Sequence, residues 1–174
     1  MHARALSIVL CSLALAAAGR AAEADGAPDA RAAFERLKQL AGTWQSTAPG
    51  KPATTRFEVI AGGSAILEKY SDPNMADGHE MVTLYHLDGD RLLLTHYCMA
   101  KNQPRLRLTA YDPATGDLRF EFLDATNLPS ADAGHMHRAR YTVQSADRFT
   151  TQWDFVENGK TTFNEAFTFG RIGS

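Results

Sequence analysis

The segment HEMVTLYHLDGDRLLLTHYC, residues 79–98, decides the fold. Two runs that alternate apolar and polar residues flank Leu87-Asp88-Gly89-Asp90, and Asp-Gly between such runs is a strong hairpin signal. A two-residue turn at Asp88-Gly89 sets Tyr85 opposite Leu92, Thr83 opposite Leu94, Met81 opposite His96 and His79 opposite Cys98. Side chains alternate along a strand, so these residues share one face, and Glu80, Val82, Leu84, His86, Arg91, Leu93, Thr95 and Tyr97 share the other. The first face is the better core. Its apolar run ends, away from the turn, in two histidines and a thiol, and that polar end is where function is expected.

Period-two alternation continues through the rest of the chain. It predicts ten strands, near 43–47, 54–60, 65–71, 79–87, 91–98, 105–111, 117–124, 135–144, 148–157 and 160–171. Short turns at 61–63, 88–89, 112–116 and 145–147 alternate with longer connectors at 47–53, 72–78, 99–104 and 125–134. In an up-and-down meander, one end is therefore tightly turned and the other looped. Many short antiparallel strands are best satisfied by closing the sheet, which removes exposed edges. The expected fold is all-β: an up-and-down antiparallel meander barrel of about ten strands with one short N-terminal helix. The 112–116 loop puts Leu106, Leu108, Phe120 and Phe122 inside, with Arg105, Arg107, Arg119 and Glu121 outside. On the eighth strand His135, His137, Ala139, Tyr141 and Val143 form the expected inner set, against Met136, Arg138 and Arg140. The last strand has two readings. A plain Asn158-Gly159 turn leaves Phe163, Phe167 and Phe169 outside, whereas a bulge turns them inward together with Glu165.

Residues 1–24 have the form of a secretory signal: a short basic start, an apolar run from Ala5 to Ala18, then small residues. The run is too short to span a bilayer comfortably, and no later segment is long and apolar enough. Export to the periplasm or medium is expected, with a single domain over 25–174. Cleavage after Ala24 takes Lys+Arg from 18 to 16 and Asp+Glu from 20 to 19, a net charge of −3. No basic block remains to grip phosphates, which argues against a nucleic-acid partner. Only Cys98 survives cleavage, so no internal disulfide can form. Phe34, Leu37, Leu40 and Ala41 lie on one face of a short helix that starts near Asp29 and stops at Gly42.

A short helix leading into Gly42-Thr43-Trp44 at the first strand of a meander resembles the calycin superfamily, which includes lipocalins, fatty-acid-binding proteins and nitrobindin-like barrels. The resemblance implies that Trp44 closes the barrel floor and that Arg171, late in the last strand, packs across it. A planar guanidinium can lie on an indole face, which gives the pairing an independent physical basis. The paired Arg-x-Tyr that grips a fatty carboxylate in the intracellular relatives is absent from the last strand. The overall pattern, with Tyr-His-Leu-Asp-Gly-Asp, Thr-His-Tyr-Cys, Asn-Gln-Pro-Arg and His-Met-His, looks like a group of exported bacterial barrels of unassigned role.

The meander gathers His79, His96, Cys98, Asn102, Gln103, Asp124, Asn127, His135 and His137 around the looped mouth. A small-molecule ligand is expected there, apolar or amphipathic. His79, His96, His137 and Tyr85 would orient it, with Met81, Thr83, Leu94, Cys98, Leu106, Leu108, Phe120, Tyr141 and Trp153 around it. A second reading uses His79, His96 and His137 to hold a metal or haem iron. Against it, hydrogen-bonded histidines are common inside barrels, and His-x-His is also plain strand alternation. A third reading makes His96 and Cys98 a base and nucleophile of a hydrolytic or isomerising enzyme, with Asp124 orienting a base. No nucleophile elbow, phosphate loop, dinucleotide fingerprint or His-Glu-x-x-His accompanies it.

Overall fold

A computed structural model describes residues 28–48, 50, 52–73 and 80–173. The signal segment and His79 lie outside the described residues. Helix α1 (Ala30–Lys38) precedes ten strands: β1 (Gly42–Ser46), β2 (Thr54–Ile60), β3 (Ala65–Ser71), β4 (Glu80–Asp88), β5 (Arg91–Tyr97), β6 (Gln103–Asp112), β7 (Asp117–Thr126), β8 (His135–Ser145), β9 (Arg148–Glu157) and β10 (Lys160–Gly173). Each pairs antiparallel with its sequence neighbours, and β1 pairs with β10, which closes the barrel. Every strand thereby gains two hydrogen-bonded neighbours, and no edge is left to template aggregation. No helix among the described residues is long and apolar enough to cross a membrane.

The central hairpin keeps its expected faces in a different register. Asp88 pairs with Arg91, Tyr85 with Leu94 and Thr83 with His96. The turn is therefore Gly89-Asp90, with Gly89 leading at a φ of +63° that suits a residue without Cβ. A slip of two residues preserves which side chains point inward but changes who faces whom. Thr83, not Met81, stands opposite His96.

Bulges make the other corrections. A bulge at Thr162 sets Phe163 opposite Phe155 and Glu165 opposite Trp153, so the inward alternative for β10 is the one adopted. The Asn158-Gly159 turn is nonetheless tight, with both residues at positive φ. A second bulge, at His137, brings Met136 opposite Phe155 on the inner wall, where alternation alone predicts His135 and His137. A third, at Leu123, takes Asp124 out of the mouth to pair with the Arg105 guanidinium outside the barrel.

The tight end is sealed by α1. Asp29 caps it by accepting from the Ala32 N–H at 2.9 Å, and Ala30, Ala33, Phe34, Leu37 and the following Leu40 are buried in the barrel core. Arg36 donates to the Val143 carbonyl at 2.8 Å across Gly116. At Gly116, φ is +70° and a Cβ would fall 2.4 Å from that carbonyl, so only glycine fits beneath the helix. Trp44, on β1, is fully buried beside the end of the helix. Its Nε1–H donates to the Leu40 carbonyl at 2.7 Å, and Phe149 meets its ring edge-on with centroids 4.8 Å apart. The Arg171 guanidinium lies 4.0 Å from the indole centroid and donates to the carbonyls of Ala41, Gln39 and Ala146. One side chain thus ties β10 to the helix exit and to the β8–β9 turn.

Arg171→Ala should cost about 2–4 kcal/mol by urea denaturation, because it removes a half-desolvated cation–π contact and leaves three carbonyls without their charged donor. Arg171→Lys should recover part of that loss through charge alone, since an ammonium cannot bridge all three acceptors while lying on the ring. An alanine variant with an unchanged urea midpoint would show that the floor does not need this residue.

Candidate functional site

Above the packed floor lies a small internal cavity of about 30 Å³, bordered by Glu68, Tyr70, Met81, Thr83, His96, Met136, Thr151, Trp153, Glu165, Phe167 and Phe169. It has room for about two water molecules. Towards the looped end it adjoins a recess of about 280 Å³ lined by Met81, Cys98, Met99, Ala100, Met136, Phe155, Phe163 and Glu165. Met81, Met136 and Glu165 belong to both walls and form the throat between them. Met99 and Phe163 leave substantial apolar surface exposed at the rim, at 39% and 42%.

The inner wall is built by alternation. Ile66, Glu68 and Tyr70 share a face of β3, as Met81, Thr83 and Tyr85 do on β4, and Tyr70 pairs with Met81, Glu68 with Thr83 and Ile66 with Tyr85. Glu68 is buried, and its Oε1 accepts from the Thr55 hydroxyl at 3.0 Å. Its Oε2, the Tyr85 hydroxyl and the Tyr141 hydroxyl form a triangle. Tyr85 bonds Oε2 closely, Tyr141 lies 3.0 Å from it, and the two hydroxyl oxygens are 2.6 Å apart.

Three oxygen–oxygen contacts need three protons, and two tyrosines supply only two. A neutral Glu68 carboxyl supplies the third. With it the ring closes, each oxygen donating once and accepting once. Burial independently raises the Glu68 pKa, against the lowering effect of its hydroxyl partners, and holds both tyrosines well above their ordinary range.

His96 is only 4% exposed, beside Trp153 with ring centroids 4.9 Å apart. Nδ1 lies 3.0 Å from the Thr83 hydroxyl, a contact created by the observed hairpin register. Nε2 is buried and has no hydrogen-bond partner. Burial pushes the His96 pKa down to about 4, so the ring is neutral at pH 7. Glu165, at the throat, has its pKa raised by burial and then by the charge of Asp72.

Of the residues singled out in the sequence, Met81, Thr83, His96 and Trp153 border the cavity, and Cys98 and Met81 border the recess. Tyr85, Leu94, Leu106, Leu108, Phe120 and Tyr141 are buried in the core cluster. His137 pairs with His135, Nδ1 to Nε2 at 3.0 Å, and stacks on Phe122, while His96 packs on Trp153. His135 is anchored in turn to the Ala133 carbonyl at 2.8 Å. Among the described residues no group of three or more His, Cys, Asp or Glu is placed to hold a metal. Burial raises the Cys98 pKa and so disfavours the thiolate a nucleophile needs, and His96 bonds Thr83 instead. Asp124 is committed to Arg105.

Glu68, Tyr70 and Met136 are the wall residues that the strand pattern did not single out. The signal for Glu68 was present: an acid between Ile66 and Tyr70 on the inward parity of an otherwise apolar strand face.

No protein-family model matches the chain, and no curated protein is significantly similar to it. Its class is set by fold and site: a closed ten-stranded antiparallel barrel, compatible with a calycin-like fold, whose small interior cavity carries buried polar groups.

Two pH dependences of opposite sign follow. A carboxyl whose folded pKa is raised contributes stability at low pH that is lost as pH climbs above the ordinary carboxyl range. The stability of Glu68→Gln relative to the parent should therefore rise as pH climbs above the ordinary carboxyl range, and a flat difference would show that Glu68 titrates normally. A histidine whose folded pKa is lowered contributes stability above its ordinary pKa that is lost as pH falls from 6.5 towards 4. Replacing it as His96→Gln should remove about 3 kcal/mol of acid destabilisation from urea midpoints taken across that window. An acid limb as steep in the variant as in the parent would contradict the buried, neutral imidazole.

Proposed function

We propose that this chain is an exported, lipocalin-like binding barrel of the calycin type that takes a small apolar or amphipathic molecule through its looped mouth. One observation carries the reading: the exposed apolar recess and the inner cavity share a wall of Met81, Met136 and Glu165. A soluble domain seldom leaves such a patch at the rim of an internal hole without a partner for it.

The cavity is far smaller than the 300–1,000 Å³ typical of sites that enclose a whole drug-sized molecule. The ligand's body therefore rests on Met99, Phe155 and Phe163, and only its leading group passes the throat. Two methionines suit that throat, because unbranched thioether side chains change rotamer without a large packing cost. Inside, Trp153, Phe167 and Phe169 offer apolar surface, and the unpartnered His96 Nε2 offers one oriented polar contact. That contact is the feature that selects among ligands, since a buried polar atom gains most from a partner.

Titration with a neutral hydrophobic dye such as Nile red should give saturable binding with a blue-shifted emission. Met136→Trp, which fills the throat, should weaken that binding by about ten-fold with the fold retained by circular dichroism. A dye that does not bind, or that binds the throat variant as tightly as the parent, would overturn the proposed role.

A further inference from the structure

We infer that the ligand's leading group is a cation of the ammonium type, so that the preferred ligand is an amphipathic amine rather than a fatty acid or a neutral alcohol. The inference rests on the binding role proposed above and specifies the chemistry of the same site.

The walls are one-sided in charge. Among the described residues that border the cavity and the recess, the ionisable ones are Glu68, Glu165, Tyr70, His96 and Cys98; none is a lysine or arginine. A carboxylate ligand would find no cation to pair with among these described residues, and it would lie beside Glu165 in a half-buried throat, where like charges repel. Asp72, with the Tyr70 hydroxyl 3.5 Å from its Oδ2, adds negative charge next to Glu165. Glu68 is already spoken for by its three hydroxyls. Glu165 forms no hydrogen bond or ion pair with any other described residue, although it is half-buried. It is the carboxylate positioned to receive a guest.

The second observation is independent of charge. His96 Nε2 is buried and unpartnered on the cavity wall. In the tautomer whose Nδ1–H donates to the Thr83 oxygen, Nε2 is an acceptor. An ammonium group carries three N–H donors and no acceptor, which matches a wall made of the Glu165 carboxylate, His96 Nε2 and the Thr151 hydroxyl. Trp153, Tyr70 and Phe167 line the same space, and their ring faces attract a cation. The neutral imidazole adds no positive charge to oppose it.

Calorimetric titration of the full chain at pH 7.5 with three ligands of one skeleton, octylammonium, octanol and octanoate, separates the possibilities. Octylammonium should bind about ten-fold or more tighter than octanol, with octanoate weakest. Glu165→Gln should bring octylammonium to within about three-fold of octanol. Glu165→Lys should reverse the order of the charged pair. Octanol or octanoate binding as tightly as octylammonium would overturn the inference, as would a Glu165→Gln protein that keeps the full preference. If Nile red binds and the ammonium preference is missing, only the assignment of the leading group falls; if neither the dye nor any of the three ligands binds, the binding role falls with it.

Discussion

The proton-sharing ring of Glu68, Tyr85 and Tyr141 is the constraint on which the interior depends. Glu68 comes from β3, Tyr85 from the neighbouring β4 and Tyr141 from β8, so the ring joins the β3–β4 wall to a strand remote from it around the barrel. A barrel of ten strands encloses more space than aliphatic side chains fill by chance, and a polar crosslink in that space is favourable only when every member is satisfied. Neutral Glu68 meets that condition; an ionised Glu68 would leave one short contact without a proton. The crosslink lies between two regimes. Towards the floor, Trp44, Phe57, Phe149 and Phe169 pack densely on α1, and towards the mouth the packing loosens into the cavity.

That division explains why the site is small and why its groups titrate away from their ordinary values. Polar residues above the ring face a space closed off from solvent on the floor side, so burial shifts each towards its uncharged form: Glu68 and Glu165 upward, His96 downward. The outer face has the opposite character. Arg105 and Arg138 form exposed pairs with Asp124 and Glu121, each contributing little because water screens it, while the buried Asp117 is held between Arg119 and Arg140. These ladders keep the outside charged and balanced, leaving the mouth as the apolar feature of interest.

The histidine cluster expected at the mouth divides into two in the structure. His135 and His137 satisfy each other beside Phe122, which makes them a polar anchor near the 127–134 loop. His96 stands apart on the cavity wall with one nitrogen free. Equivalent residues in the sequence therefore have unequal chemical meaning, and the difference arises from a single bulged position on β8.

Alternation in the sequence determined the element order, the ten strands, the inward faces of β4 to β7 and the helix that leads into Trp44, because a period of two is a local property of the chain. The floor contact between Trp44 and Arg171 was legible for the same reason, since a meander with an even number of strands returns its last residue to the level of its first. The pairings that make the site were decided only in three dimensions. A turn displaced to Gly89-Asp90 put Thr83 against His96, and bulges at Thr162, His137 and Leu123 turned Glu165 and Met136 inward and Asp124 outward. Each of these is settled by how neighbouring strands must coil to close the ring, a condition that no single stretch of residues contains.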